Sequence, residues 1–339
     1  MSISDPSEQE RPRPAWMPTR VFISGASGFI GKSLAARYRQ LGCEVRGVDK
    51  VADPKQDVVA GNTAQAGNWQ DHTLDCDLFI HAAAIVSFTH DPRSIWEVNV
   101  LGTRHALAAA IQGGAQRFLH ISSVVAYSFD FPPDVTENYP VRCNGVPYVD
   151  SKVMGEQVVL QAHAAGEIDS TIVRPGDVYG PGSRPWTTRP VKLLNENSLI
   201  LPLEGKGIFT PIYIDTLIDG IILAAGTKEA AGHVFNLTDG RGIENSLFFG
   251  YYAWLLKKEI VTERESRTQA LVLKARMVDR LKKRLGRESQ WNETGVRYLC
   301  RRGTYSIEKA RRLLGFEPRI GIDEGMKRTE QWLRENGLV

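Results

Sequence analysis

The sequence predicts an α/β fold with a doubly wound parallel sheet, and two features support this prediction. Short apolar runs alternate with helix-favouring stretches over the first 180 residues, and a glycine-rich turn joins the first run to the first helix. Strands that alternate with helices are typical of parallel sheets covered on both faces. We expect residues 19–180 to form a dinucleotide-binding domain. Residues 181–339, where the alternation weakens, are expected to form a smaller C-terminal α/β part that binds substrate.

The apolar runs and helical stretches occur in a regular order along this domain. The first run ends in the glycine turn, and the second ends in an acidic residue. The predicted strands are residues 21–24, 44–49, 78–81, 117–121 and 170–173, and the predicted helices are 32–41, 95–112 and 148–165.

Composition limits where the protein is found and what it binds. The first 18 residues are polar and proline-rich, a composition typical of a disordered tail without a signal peptide. The longest apolar stretch, 247–256, is about half of a membrane helix and predicts a buried helix. Four cysteines without a C-x-x-C pair and scattered histidines indicate a reducing compartment and no metal site. We therefore expect a cytoplasmic protein.

The net charge of +3 is unevenly distributed, because residues 274–287 alone carry +6 and the remainder sums to −3. Apolar residues fall at helical spacing in this region, which predicts a basic amphipathic helix over about 268–287. Its apolar stripe either packs on the domain or rests on anionic lipid as a peripheral membrane contact. A nucleic-acid partner is not expected, since no recognition fold accompanies the basic residues. The stripe comprises Leu271, Ala275, Val278, Leu281 and Leu285.

The glycine turn predicts a dinucleotide site. Gly25, Gly28 and Gly31 follow a predicted strand and open a predicted helix, so a pyrophosphate can approach the backbone at the helix N-terminus. Asp49, at the end of the second strand, can accept hydrogen bonds from ribose hydroxyls and would repel a 2′-phosphate. The pattern therefore favours NAD over NADP, although the adjacent Lys50 weakens the distinction.

A candidate catalytic group lies on the predicted helix 148–165. Tyr148 and Lys152 are four residues apart and share one helix face, where the lysine would lower the pKa of the tyrosine. Tyr148 could then act as acid and base for an alcohol or carbonyl. A serine at the end of the strand 117–121 could polarise the same carbonyl; Ser123 is preferred and Ser122 is the alternative.

Together these motifs resemble the extended short-chain dehydrogenase/reductase superfamily, which includes the NAD-dependent epimerases and dehydratases and has a Rossmann-type fold. The resemblance covers about residues 20 to 335. The matching segments are residues 25–31, Asp49, 81–84, 99–103, Ser123, 148–152, 174–181, 306–310 and 314–318.

The resemblance implies roles for individual residues. Ser123, Tyr148 and Lys152 would form the catalytic triad, with Asn99 as a structural or relay residue. Asn62 stands where the family often has an acid near the adenine, which weakens one contact. The family implies a homodimer. The remaining cofactor-binding positions would be Ser27, Phe29, Ile30, Ala82, Ala83, Ala84, Pro175 and Val178, beside the glycines and Asp49.

Within this superfamily, three positions bear on the substrate. Residues 123–125 lack the acids of sugar-nucleotide dehydratases. Asp177 replaces an asparagine that contacts nucleotide phosphates in the epimerases, and Phe209 falls where those enzymes carry an arginine; a shift of the alignment by one or two residues is the alternative explanation. The chain therefore most resembles the 3β-hydroxysteroid dehydrogenase-like group. Val86, Phe88, Trp186, Phe209 and Asp177 are the candidate substrate-binding residues.

These observations predict an NAD-dependent oxidoreductase that uses the triad to interconvert a secondary alcohol and a ketone on a hydrophobic, steroid-like substrate, a small lipophilic molecule. A sugar-nucleotide epimerase with bound NAD is the alternative. A second alternative, from another functional class, is a dinucleotide-sensing protein without turnover, which would not need the triad.

Overall fold

The computed structural model describes residues 14–284 and 292–339. The strands in these ranges are β1 (Arg20–Ser24), β2 (Glu44–Asp49), β3 (Val58–Ala60), β4 (Leu78–His81), β5 (Arg117–Ile121), β6 (Asp169–Pro175), β7 (Asp177–Tyr179), β8 (Ile200–Leu201), β9 (Ile208–Phe209), β10 (Pro211–Tyr213), β11 (Val234–Leu237), β12 (Ile243–Glu244) and β13 (Val261–Thr262). The helices are α1 (Phe29–Gln40), α2 (Pro92–Trp96), α3 (Gly102–Gln112), α4 (Pro147–Ala164), α5 (Arg189–Asn195), α6 (Ile214–Gly226), α7 (Asn245–Leu256), α8 (Thr268–Arg284), α9 (Glu293–Leu299), α10 (Glu308–Leu314) and α11 (Ile322–Glu335).

The central sheet is parallel and has the strand order β11-β6-β5-β4-β1-β2-β3. Alternate residues of β1 face opposite sides: Val21 and Ile23 join one apolar cluster and Phe22 joins another. Helices α1 and α6 pack on one face, and α3 and α4 pack on the other. The predicted doubly wound parallel sheet is therefore confirmed.

The predicted domain boundary at residue 180 stays a prediction, and the sheet crosses it. Strand β11, which lies beyond this boundary, pairs with β6 and completes the sheet. The remaining C-terminal strands form three two-stranded pairs, β10 with β7, β12 with β9 and β13 with β8. The pair of β10 with β7 joins the C-terminal part to the segment that follows β6, and the other two pairs lie within the C-terminal part.

Two predicted segments differ in detail. The helix predicted at 95–112 runs from Pro92 to Gln112 through a π-helical turn at Glu97–Leu101, because Asp91 caps its start by accepting a hydrogen bond from the Ser94 backbone N–H at 2.8 Å. Residues 14–18, predicted as the end of the tail, pack on the domain: the Arg117 guanidinium lies 4.6 Å from the Trp16 ring centroid. The first 13 residues of that predicted tail lie outside the described ranges.

The basic helix is α8, and residues 285–287 of the predicted segment lie outside the described residues. Leu271 and Ala275 are buried against Val296 of α9, but Leu281 is 60% exposed. Because Val272 also packs inward, the helix is turned about its axis relative to the predicted stripe. Leu281 therefore faces outward, so the predicted stripe does not pack on the domain as a whole, which was one of its two interpretations.

The stretch 247–256, predicted as a buried helix, forms α7 but is buried on one side only. Phe248, Phe249 and Tyr252 are in the core, while Leu247 and Trp254 are about two-thirds exposed. Across the described ranges no helix is long and apolar enough to cross a bilayer.

Close approach at Gly207 fixes the end of α9. A Cβ at Gly207 would lie 1.8 Å from the Leu299 carbonyl oxygen, which accepts a hydrogen bond of 2.7 Å from the Asn245 side-chain amide. Gly207→Ala is therefore expected to destabilise the protein by about 2–4 kcal/mol, because backbone must move to admit the methyl group. The free energy of unfolding, measured in urea, checks this.

Gly250→Ala is the matched control. Gly250 lies inside α7, and a Cβ added to it would have no atom within 4 Å, so alanine should stabilise the helix by about 0.5–1 kcal/mol. Equal effects of the two substitutions would contradict the packing assigned to Gly207.

Candidate active site

The glycine turn between β1 and α1 has the backbone that a pyrophosphate needs. Gly25 has φ of +72°, and a Cβ there would lie 2.8 Å from the Ala83 backbone nitrogen. A Cβ at Gly31 would lie 2.1 Å from the Gly25 carbonyl oxygen. Gly28 precedes the first residues of α1, Phe29 and Ile30, so the helix N-terminus opens directly onto the turn.

Asp49 stands at the end of β2, facing this turn. Its Oδ2 accepts a hydrogen bond of 2.9 Å from the Ser27 backbone N–H, and its Oδ1 accepts one of 2.7 Å from the Lys50 N–H. Each oxygen keeps capacity for a ribose hydroxyl. Lys50 and Asn62 are exposed at the same sheet edge, and the Asn62 Oδ1 accepts a hydrogen bond from the Ala64 N–H.

The other predicted cofactor positions lie at the carboxyl ends of neighbouring strands. Residues 82–84 follow β4 and are partly buried, Pro175 ends β6 in the core, and Val178 is half-buried on β7. The strand order reverses between β1 and β4, and this reversal is where doubly wound sheets bind nucleotides. The glycine cradle and Asp49 thus fit an NAD molecule.

The three predicted catalytic residues converge next to this crevice. Tyr148 and Lys152 lie one turn apart on α4, and both are buried. The Ser123 hydroxyl lies beside Tyr148, and the Lys152 ammonium donates to the Ile121 carbonyl at 2.9 Å. A hydroxyl pair and a cation therefore meet beyond the end of β5.

The two candidate serines have different partners. The Ser122 hydroxyl is buried and donates to the Glu156 Oε1 at 2.5 Å. Ser123 is only partly buried, starts the turn after β5 by accepting a hydrogen bond from the Val125 N–H, and lies beside Tyr148. Ser123 is therefore the serine available to a carbonyl beside Tyr148.

Burial dominates the ionisation of this group. It raises the pKa of Tyr148 above its ordinary value, while the neighbouring Ser123 hydroxyl acts in the opposite direction. Burial lowers the pKa of Lys152 to about 8, opposed by the nearby Glu156 carboxylate. The predicted lowering of the tyrosine pKa by Lys152 remains a prediction, since the ammonium bonds a backbone carbonyl.

Sequence reasoning missed a buried ion pair beneath the triad. Arg174, on β6, donates from Nε and Nη2 to the two oxygens of Glu156 at 2.8 and 2.6 Å. Glu156 is four residues after Lys152 on α4, so its helical spacing was an available signal. The pair ties α4, which carries Tyr148 and Lys152, to the sheet.

Asn99 lies in the π-helical turn and joins three elements. Its side chain bonds the backbone N–H and carbonyl of Ile85 at 2.7 and 3.0 Å, and donates to the Ser151 hydroxyl at 2.9 Å. It therefore fixes the loop after β4 against α4. These contacts correspond to the structural role among those predicted for Asn99.

Aromatic side chains surround Tyr148 on the substrate side. Phe88 packs edge-on against Tyr148 with centroids 5.7 Å apart, and also contacts Phe129 and Tyr298. Trp186 stacks on Tyr298 at 5.7 Å. Phe129 and Tyr298 were not identified from the sequence, because no motif marks them.

The other predicted substrate residues are placed differently. Val86 is two-thirds exposed on the loop after β4, so it borders the site from solvent. Phe209 is fully buried and stacks on Phe248 with centroids 3.7 Å apart, behind Trp186. Phe209 thus supports the aromatic group from the core.

Asp177 is buried and fully occupied by protein partners. Its carboxylate accepts hydrogen bonds from the Tyr298 hydroxyl, from Arg301 Nη2 at 2.9 Å and from the Thr210 backbone N–H at 2.9 Å. The positive charge of Arg301 balances the negative charge of Asp177. Repulsion between Asp177 and a diphosphate is therefore offset. The pair instead leaves neither group free for a ligand phosphate.

Comparison with known proteins gives similarity over nearly the whole chain. A 3-beta-hydroxysteroid dehydrogenase of Mycolicibacterium neoaurum is 29% identical over 91% of this chain and 89% of its own length. The 4-hydroxy-2-methyl-3-oxo-4-farnesyl-3,4-dihydroquinoline-1-oxide ketoreductase of Stigmatella aurantiaca is 26% identical over 92% and 96%. An epimerase structure from Methanothermobacter thermautotrophicus superposes with a TM-score of 0.76 at 21% identity, covering 95% of this chain and 94% of that one.

The family model that matches is more inclusive than any of these relatives. It describes the NAD dependent epimerase/dehydratase family and matches residues 21–238, which span the glycine turn, Asp49, Tyr148 and Lys152. This match agrees with the fold and with the glycine turn described above. The chain therefore belongs to the NAD-dependent epimerase/dehydratase family, the extended short-chain dehydrogenases/reductases.

Proposed function

We propose that this protein is an NAD-dependent oxidoreductase that interconverts a secondary alcohol and a ketone on a hydrophobic, steroid-like substrate. The observation that carries the proposal is the placement of Tyr148, with Ser123 beside it and Lys152 one helical turn away, in an aromatic cluster. An apolar surround favours an uncharged, bulky substrate over a charged one. The names of the dehydrogenase and ketoreductase relatives point to substrates of the same kind.

Each side chain of the group has a distinct task in this proposal. Tyr148 exchanges the proton of the substrate hydroxyl, and Ser123 hydrogen-bonds the substrate oxygen. Lys152, while protonated, favours the phenolate of Tyr148 and binds a ribose hydroxyl. The glycine turn and Asp49 hold the adenosine diphosphate half of the cofactor. When bound, NAD supplies the hydride chemistry at its nicotinamide.

The alternatives are a sugar-nucleotide epimerase with bound NAD and a non-catalytic dinucleotide sensor. An epimerase must hold a diphosphate, yet Arg301, a buried cation at the aromatic cluster, is committed to Asp177. A sensor has no need of Ser123, Tyr148 and Lys152 together beside an aromatic cluster. Both observations favour the oxidoreductase.

We also propose a peripheral contact between α8 and an anionic lipid surface. Its outward face carries three exposed apolar residues one turn apart, Leu273, Met277 and Leu281. Exposed cations lie on the same face at 274, 280 and 284, and Asp279 points away from it by helical geometry. A basic face with protruding apolar side chains suits a bilayer interface whose headgroups are acidic.

Replacing the three cations of α8 tests this contact. The Lys274→Gln/Arg280→Gln/Arg284→Gln variant should sediment with phosphatidylcholine vesicles containing phosphatidylglycerol about tenfold less than the parent protein, since each cation contributes attraction. A control variant, Lys55→Gln/Arg93→Gln/Lys228→Gln, removes equal charge from exposed sites elsewhere. An equal loss of vesicle binding in both variants, or binding to neutral vesicles alone, would refute the lipid contact. It would also be refuted if the α8 variant bound vesicles as the parent does but failed to form the predicted homodimer in sedimentation equilibrium.

Turnover itself is tested with NAD and a panel of hydroxysteroids and other lipophilic alcohols at mildly alkaline pH, followed by nicotinamide absorbance. Tyr148→Phe should reduce kcat by about 10²–10⁴-fold with NAD affinity unchanged, because only the proton-exchanging hydroxyl is lost. Ser123→Ala should reduce kcat less. Tight binding of a UDP-sugar without oxidation of any alcohol would support the epimerase instead.

Ser122→Ala is the matched control for Ser123→Ala. The Ser122 hydroxyl serves the buried Glu156, so its loss should lower stability by about 1–3 kcal/mol while kcat stays within about twofold. A larger fall in kcat for Ser122→Ala than for Ser123→Ala would reverse the assignment of the two serines.

The affinity for NAD should depend on pH through Lys152. This ammonium has a pKa of about 8, so it is charged below that pH and loses its charge as the pH rises through it. The Kd for NAD, measured by calorimetry, should therefore rise severalfold between about pH 7 and pH 9.5. Lys152→Arg, which stays charged throughout, should remove the rise; an identical pH profile in both proteins would contradict the assignment.

A further inference from the structure

The imidazole of His81, the last residue of β4, is almost completely buried and lies against α3. We propose that His81 is a positioning residue for the cofactor, whose two ring hydrogen bonds fix the glycine turn and the loop after β4 and thereby raise the affinity for NAD. The inference goes beyond the proposed function, because it concerns how the cofactor turn is held and not which substrate is turned over.

Both ring nitrogens of His81 have a hydroxyl partner. The Ser24 Oγ lies 2.7 Å from Nδ1, and the Thr103 Oγ1 lies 3.1 Å from Nε2. The Thr103 hydroxyl donates its single proton to the Asn99 carbonyl at 2.7 Å, so it accepts from the His81 Nε2–H. Burial lowers the pKa of His81 to about 3, so the ring is neutral and Nδ1 accepts from the Ser24 hydroxyl. These partners therefore fix one tautomer of the ring.

The bond to Ser24 connects His81 to the glycine turn. Ser24 ends β1 and directly precedes Gly25, where a Cβ would lie 2.8 Å from the Ala83 backbone nitrogen. The Ser24 hydroxyl, while it donates to His81, also accepts from the Ala83 N–H at 3.4 Å. The strand end that enters the turn and the loop that lies against it are therefore joined through one hydroxyl.

The bond to Thr103 connects His81 to α4 through Asn99. The Asn99 carbonyl accepts from Thr103, and the Asn99 side chain donates to the Ser151 hydroxyl. Ser151 in turn donates to the Tyr148 carbonyl at 2.9 Å. A continuous series of buried contacts thus runs from the glycine turn through His81 to the helix that carries Tyr148.

A turn that is already in place reduces the cost of binding the cofactor. A pyrophosphate is bound best by backbone N–H groups that point toward it beforehand, since any ordering of the turn on binding subtracts from the affinity. Without the imidazole, the fully buried Ser24 hydroxyl loses its acceptor, so we expect the turn to shift. The affinity for NAD should therefore fall even though the effect of His81 is transmitted through Ser24.

His120 provides a matched control in the same place. It is the register partner of His81 on β5, and the two rings stack with centroids 5.5 Å apart. It is equally buried, but within the described ranges neither of its ring nitrogens has a hydrogen-bond partner. His120→Phe therefore removes a buried imidazole without breaking such a bond, and the Kd for NAD should stay within about twofold of the parent value.

Calorimetric titration of the full-length variants with NAD tests the proposal without turnover. His81→Phe should raise the Kd for NAD about tenfold, because the bond to Ser24 is lost. Ser24→Ala should raise it by a similar factor, and the His81→Phe/Ser24→Ala double variant should raise it no further, since both changes remove the same bond. Thermal unfolding, followed in parallel, shows whether each variant is folded at the temperature of the titration.

His81→Asn separates a positioning role from a purely structural one. The asparagine Oδ1 takes the place of Nδ1 and can accept from Ser24, but the shorter side chain does not reach Thr103. The Kd for NAD should therefore return to within about threefold of the parent value. Asparagine fills the core less well than phenylalanine, so a purely structural role would make His81→Asn the weaker binder of the two.

The outcomes separate this inference from the proposed function. Equal effects of His81→Phe and His120→Phe, additive effects of His81→Phe and Ser24→Ala, or weaker NAD binding by His81→Asn than by His81→Phe would each overturn the role of His81. If His81→Phe does not fold, parent-like affinity in Ser24→Ala would overturn it, as would a parent protein that binds no NAD. A parent protein that binds NAD but oxidises no alcohol would contradict the proposed function alone.

Discussion

The buried ion pair between Arg174 and Glu156 is the interaction on which the geometry of the candidate active site depends. Glu156 lies on the same helix as Tyr148 and Lys152, and Arg174 lies on the strand beside the one that ends at the candidate serines. Two hydrogen bonds of 2.8 and 2.6 Å join them, and Ser122 adds a third to the carboxylate. Loss of one partner would leave a charge in the core, at a cost of about 3–5 kcal/mol. The ion pair thus holds Tyr148 and Lys152 of α4 in a fixed position relative to the sheet.

A second buried carboxylate–arginine pair holds the other side of the pocket. Asp177 and Arg301 fix the segment that carries Tyr298, as Glu156 and Arg174 fix the helix that carries Tyr148. The two ion pairs lie on different parts of the chain. Phe88 connects the segments that they fix, because its ring contacts both Tyr148 and Tyr298. Each of the two tyrosines is therefore held by a segment that a buried ion pair fixes, and the ring of Phe88 lies between them.

How much of this could be predicted from sequence depends on the distance between partners. The glycine turn, Asp49 and the pair Tyr148 and Lys152 are short-range patterns, so strand–turn–helix order and helical spacing predicted their placement. Tyr298 and Arg301 bond a residue more than 120 positions earlier in the chain, and no local pattern predicts such a pairing. Leu281 shows a different limit: helical spacing identifies an amphipathic helix but not how it turns against its neighbour.

The stack of Trp186 on Tyr298 also has an optical consequence. An indole inside the substrate region emits light at wavelengths that a reduced nicotinamide absorbs, so its emission is quenched by energy transfer when the two are close. Trp186 is partly buried and enclosed by Phe209, Phe249 and Tyr298, a surround that a ligand cannot enter without altering the polarity around the indole. The fluorescence of Trp186 would therefore change when a ligand or a reduced nicotinamide binds next to it.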